Sequence, residues 1–151
     1  MTNNKSIGRL SLGLEELVVV LNLLGYPQVA KELLVSLLGE IDPDEERGRL
    51  LAANHSLMAK EILYLQGGAI RMKEGPAQLL GFLTTNDYAV RGTARSIKAA
   101  EESLTYYVRG QSVVEHRLTH GVVHAFQEST LATALDALAA FMLPFDGTAF
   151  Q

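Results

Sequence analysis

The chain has 151 residues, 48% hydrophobic and 20% charged, with a formal net charge of −4 and no cysteine. That length suits one folded domain with its own core. The acidic balance argues against a general nucleic-acid binder, which needs a basic face, and the lack of cysteine removes disulfide and thiolate chemistry. No apolar run approaches the roughly 20 residues that cross a bilayer. The opening MTNNKSIGRL lacks the apolar stretch of a secretory signal, so the expectation is a cytoplasmic protein with no membrane partner.

In chain order, residues 1–10 are expected to fray. Leu14–Leu24 reads as a helix opened by Ser11 or Gly13, with Glu15 and Glu16 in the first turn, where the helix dipole favours them. Leu14, Leu17, Val18, Leu21 and Leu24 make one stripe, and Val19, Val20 and Leu23 widen it, so burial on two sides follows. Gly25 stops this helix and Pro27 starts the next, Pro27–Leu38, which Gly39 ends. Its apolar residues fall on two sides, Val29, Leu33 and Leu37 against Ala30, Leu34 and Leu38.

Asp42-Pro43-Asp44-Glu45 is a helix-start signal in which Glu45 can reach back to the cap amide. The third helix is expected to run to Gln66, closed by Gly67-Gly68, with Leu51, Met58, Ile62 and Leu65 inward and Leu50, Leu57 and Tyr64 flanking. After an extended piece at Ala69–Met72, Pro76 opens a fourth helix over Ala77–Leu83. Tyr88–Ser96 alternates as a strand with one wet face. Leu104–Val108, Val113–Leu118 and Val122–Phe126 follow as three more, turning at Arg109-Gly110-Gln111-Ser112 and Thr119-His120-Gly121. Leu131–Leu143 is a final helix with the stripe Leu131, Leu135, Leu138 and Met142, stopped by Pro144. The expected fold is a single α+β domain over residues 1–151. A winged-helix-like helical part leads into a four-stranded antiparallel meander and a C-terminal helix, with 144–151 as a tail.

His116, His120 and His124 form H-x3-H-x3-H, which on a helix would make a zinc stripe. Val113, Val114, Gly121, Val122 and Val123 disfavour that helix. With a hairpin turn at His120-Gly121, His116 pairs with Ala125 and Arg117 with His124, which sends the two strand histidines to opposite faces. No metal site and no cofactor are therefore expected. The same register puts Tyr106, Glu115, Arg117 and His124 on one face, a polar cluster that could hold a ligand or an acid–base pair, and that reads in preference as cross-strand charge pairing on a solvated surface. His55 reads as an interior or boundary histidine. Arg91, Arg95 and Lys98 read as a basic guard on the first strand. No catalytic motif such as G-x-S-x-G, a P-loop or H-E-x-x-H occurs, and a non-enzyme is expected.

One alternative is a winged-helix DNA-binding regulator, with Leu14–Leu38 as its helix-turn-helix and the Arg109-Gly110 turn as its wing. Against it, the second helix offers only Gln28 and Lys31 to DNA, and the third opens on Asp42, Asp44, Glu45 and Glu46. The ordered set LEELVVVLNLLG, ERGRLLAANHSLMAKEIL, YYVRGQSVVEH and GVVHAF resembles the EspG-type chaperones of type VII (ESX) secretion, over about Leu14–Gln127. Members of that family carry two similar halves, and this chain is similar to one of them. The resemblance implies a non-enzymatic binder of helical protein clients that uses its sheet and hairpin. The interaction residues expected on that sheet are Tyr106, Val108, Val113, Glu115, Arg117, His124 and Phe126. Its uncovered apolar face also predicts a homodimer, with Phe145 and Phe150 packed on the second copy.

Overall fold

The computed structural model describes residues 8–94 and 102–142. The expectations for residues 1–7, for Arg95, Ser96 and Lys98, and for Leu143, Pro144, Phe145 and Phe150 lie outside the described residues. The fold is α+β, in the order β1 (Leu10–Leu12), α1 (Leu14–Leu23), α2 (Pro27–Leu38), α3 (Pro43–Ala59), β2 (Leu63–Gln66), β3 (Ala69–Met72), α4 (Glu74–Gly81), β4 (Tyr88–Ala94), β5 (Glu102–Arg109), β6 (Ser112–Thr119), β7 (Val123–Ser129) and α5 (Leu131–Met142). The chain falls into two compact units, Leu12–Gln78 and the two segments on either side of it.

The Leu12–Gln78 unit is built around α1. Glu16 reaches back to accept the Gly13 N–H at 2.8 Å, which fixes the start of that helix. Leu14, Leu17, Val18, Val19, Val20 and Leu21 are all buried, and α1 packs on both α2 and α3. Gly25 and Gly39, at φ 89° and 72°, end α1 and α2 in a conformation that side chains resist. Asp42 caps α3 by accepting from Asp44 N–H at 2.9 Å and Glu45 N–H at 3.4 Å. The Glu45 carboxylate does not return to the cap but takes Arg49, one turn on.

Helix α3 stops at Ala59, seven residues before the expected end at Gln66. Glu61 turns to φ 58°, and Leu63–Gln66 pairs with Ala69–Met72 as an antiparallel hairpin. Gly67 and Gly68, both at positive φ, are the two central residues of its turn. A two-residue turn of that kind matches the twist of paired strands, so Gly-Gly here makes a hairpin and not a helix stop. Ala53 and Leu57 are the buried residues of α3, and Leu51 and Leu65, expected inside, are exposed. Helix α4 also starts earlier than expected, with Pro76 inside its first turn.

The other unit holds a five-stranded sheet in the order β1-β7-β6-β5-β4, with antiparallel pairing from β4 through β7. The expected four-strand meander is present, and Leu10–Leu12, of which only Leu10 lies in the stretch expected to fray, adds a fifth strand beside β7. Helix α5 lies on one face. Ala134, Ala137, Leu138 and Phe141 meet Leu104, Tyr106, Val108 and Val113 there. The expected inward stripe of α5 is corrected accordingly, since Leu131 and Leu135 point to solvent. Nearly every position of α5 is apolar, so its sequence does not choose a face. Alanines let the helix approach the strands closely, and Gly92 of β4 completes the fit by leaving room for the Phe141 ring.

Helix α5 thereby buries Tyr106, Val108 and Val113, with Tyr106 only 1% exposed, and Phe126 is buried on the opposite face of the sheet.

Candidate functional site

The β6–β7 loop decides which side chains meet. His120 and Gly121 take φ 54° and 70°, and Thr119 pairs with Val123, leaving three residues in the loop. The expected turn had two, so Val122 is an extra residue that shifts β7 by one position. A one-residue shift sends every side chain of a strand to the other face. His116 consequently pairs with Phe126, Arg117 with Ala125 and Leu118 with His124. The expectation that His116 and His124 diverge is corrected: they share a face.

On the face that bears α5, Tyr106 O–H donates to Glu115 Oε2 at 2.6 Å. Gln127 Nε2 donates to Glu115 Oε1 at 3.2 Å, and Arg117 Nε lies 3.6 Å from the same oxygen. The expected cluster of Tyr106, Glu115 and Arg117 is thus assembled, with Gln127 in place of His124. It is not a solvated surface, because Glu115 is buried under the helix side of the sheet. Burial, and then the bond to Glu115, push the Tyr106 phenol well above its ordinary range, so it stays a donor. A buried acid held by a tyrosine, a glutamine and an arginine is a closed polar network that fixes the β5–β6–β7 register.

The opposite face carries the histidines. His116 Nε2 and His124 Nδ1 are 2.9 Å apart, close enough that one ring donates to the other. Phe126 stacks on His116 at 4.4 Å between centroids, and Tyr107 lies on the same ring at 6.1 Å. His124 is 5% exposed. Burial, then the neighbouring His124 and Arg91, lower the His116 pKa to about 3, and burial lowers that of His124 to about 4. Both rings are neutral at pH 7. The outer nitrogens, His116 Nδ1 and His124 Nε2, are buried and have no hydrogen-bond partner among the described residues. Among the described residues no group of three or more histidines, cysteines or carboxylates is placed to hold a metal.

The remaining expected sites separate. His120 sits in the loop, and His55 is exposed on α3, not interior. Arg91 is on β4, which ends the sheet. The Arg109-Gly110 turn does not project as a wing. Arg109 donates to Thr85 Oγ1 at 2.9 Å and lies over the Phe82 ring at 4.2 Å, while Gly110 N–H bonds Asp87 Oδ2 at 2.7 Å.

Exposed apolar side chains occur on both units: Tyr88 and Val90 of β4 and Leu131 and Leu135 of α5 on the sheet unit, and a larger set on the helical unit. Val29, Val35 and Leu37 of α2 are exposed, as are Leu51 of α3 and Tyr64 and Leu65 of β2, the last at 65%. Sequence reasoning gave α2 two apolar sides, and the structure buries only Ala30 and Leu34 of them. Gln127 and Tyr107 were missed, since only the register brings them to Glu115 and His116. No helix among the described residues is long and apolar enough to cross a membrane. No protein-family model matches the chain, and no curated protein matches it either.

Proposed function

We propose that this protein is a non-enzymatic interaction module, chaperone- or adaptor-like, that binds a helical protein client through the apolar side chains of its Leu12–Gln78 unit. The observation that carries this reading is the outward row Val29 and Leu37 on α2, eight residues apart on one helical face with half-buried Leu33 between them. A row at that spacing is a ridge that fits the groove of another helix. The sheet, which the resemblance to EspG-type chaperones would use, buries Tyr106, Val108, Val113 and Phe126 and exposes only Tyr88 and Val90 of its edge strand β4 among its large apolar residues, so this reading puts the binding surface on the helices. A second copy of the chain is one possible client, and sedimentation of the purified protein reads that case directly.

A second reading, DNA binding, draws on the element order of the same unit, three helices followed at once by the β2–β3 hairpin, as in a winged helix. Charge weighs against it. Arg49 is engaged by Glu45 and Glu15, and Arg47 by Asp44, on a helix that opens with three acids.

The test crosslinks tagged protein in its host, identifies what is captured, and repeats the binding with both partners purified. A partner that binds the wild type and is lost from Val29→Glu/Leu37→Glu, with circular dichroism unchanged, supports the proposal. Unaltered binding by the variant, or duplex-DNA binding that weakens steeply with salt while the variant binds equally, overturns it.

A further inference from the structure

We propose that His116 and His124 form a two-coordinate site for a soft monovalent cation, Cu(I), on the sheet face opposite α5. The two rings come from adjacent strands, and their facing nitrogens converge at 2.9 Å. One hydrogen now joins them. An ion that uses both lone pairs replaces that hydrogen once each ring carries its proton on the outer nitrogen, His116 Nδ1 or His124 Nε2. Both outer nitrogens are free to carry it, being buried and, among the described residues, unpartnered. The exchange releases no proton, because each imidazole keeps one.

The ligand number selects the ion. Zinc sites draw three or four ligands from the protein, and no group of three is present among the described residues. The buried carboxylate of the sheet strands, Glu115, belongs to the other face, with Tyr106. Placing a dication in a buried site without an anionic ligand is costly. Arg91, which shares a sheet row with Thr105 and His116, adds positive field and makes a double charge worse still. A single charge and a demand for only two imidazoles suit Cu(I). Metal–nitrogen bonds of about 2 Å in a straight line put the nitrogens about 4 Å apart, so the pair must open by about 1 Å. Rotation of the two rings supplies that. Phe126 and Tyr107, on the His116 ring, limit access of water, and with no cysteine in the chain no thiolate competes for the ion.

The experiment supplies Cu(I) without oxygen against the chromogenic chelator bathocuproine disulfonate, with Ag(I) as a redox-inert probe read by imidazole nitrogen NMR. The expected result is one equivalent of Cu(I) retained, with two nitrogen neighbours by X-ray absorption. Retention should fall by roughly tenfold or more in His116→Gln and in His124→Gln. Ag(I) should move the ring signals of His116 and His124 and leave those of His55 and His120. No retention, equal retention by both variants, movement of the other two histidines instead, or Zn(II) binding of equal strength would overturn the assignment. If the variants do not fold, the wild-type NMR titration decides alone.

Discussion

Tyr106 and Glu115 face each other across the β5–β6 pair and share a 2.6 Å hydrogen bond in the interior, under α5. Replacing Tyr106 with Phe keeps the ring and strips the carboxylate of its shortest donor. The expected loss is about 1–3 kcal/mol in urea unfolding, the cost of an unmet buried acceptor. The phenol is raised in the folded state, so its contribution is complete below pH 10 and fades as pH climbs above it. A Tyr106→Phe variant as stable as wild type at pH 7 would mean that Gln127 and Arg117 suffice for Glu115.

The histidine pair sets an acid dependence. Both rings have folded pKa values below their ordinary 6.5, about 3 for His116 and about 4 for His124. The unfolded chain therefore binds more protons between those values and 6.5. Stability is complete above pH 6.5 and drains as pH falls through that window, by up to about 1.4 kcal/mol per pH unit for each ring. Arg91 helps hold the His116 value down, which extends its window to lower pH. Unfolding curves from pH 7 to 5 in chelator-treated buffer, against a His116→Phe/His124→Leu variant, measure it. The variant should be flatter over that range.

Gly92 is a packing position. A Cβ there would stand 3.1 Å from Cδ1 of Phe141. Gly92→Val should cost about 1–3 kcal/mol through overpacking, and Gly92→Ala less, because a ring edge can shift. Phe141→Leu in the Gly92→Val background should recover part of the loss. A thermal-unfolding cycle showing strict additivity would place the strain elsewhere.

Glu16 joins both ends of the helical unit. It accepts from Gly13 N–H, from Ser56 Oγ at 2.6 Å and from Lys60 Nζ at 2.6 Å. Burial alone would raise its pKa, and the bonds from Lys60, Ser56 and Gly13 together outweigh that and lower it. Glu16→Leu should release α1 from α3 and cost more than Lys60→Met, since Lys60 is largely solvated and its ion pair is screened. Because the folded value is the lower one, stability from Glu16 is present above pH 4.5 and lost below it. Equal losses from the two substitutions, by chemical unfolding, would contradict this ranking.

Much of the architecture is written locally. Gly25, Pro27, Gly39 and Asp42 mark helix ends by backbone geometry that needs no tertiary information, and α1 and α2 lie where those signals put them. The end of α3 was harder to see, because Ile62 and Leu65 continue its apolar spacing while Gly67-Gly68 serves equally as a stop or a turn. The identity of the buried face was hidden where both faces are apolar, as in α5, and there the choice belongs to the docked partner. The polar cluster around Glu115 could be named from alternation along β6, yet its fourth member could not. Gln127 and His124 differ by three positions, so they take opposite faces, and only the loop length decides which joins Glu115.

Val122 gives that loop a consequence for how the protein can change over time. Hairpin tips usually accept insertions and deletions cheaply. Here the loss of one residue would turn β7 over as a whole. Phe126 would be carried to the side of Glu115 and Gln127 to the side of His116, exchanging a buried ring for an amide on both faces at once. The tip is exposed and contributes no side chain to either cluster, yet its length is constrained as tightly as a core position. Substitutions should pass through residues 120–122 freely wherever the backbone permits them, and changes in length should not.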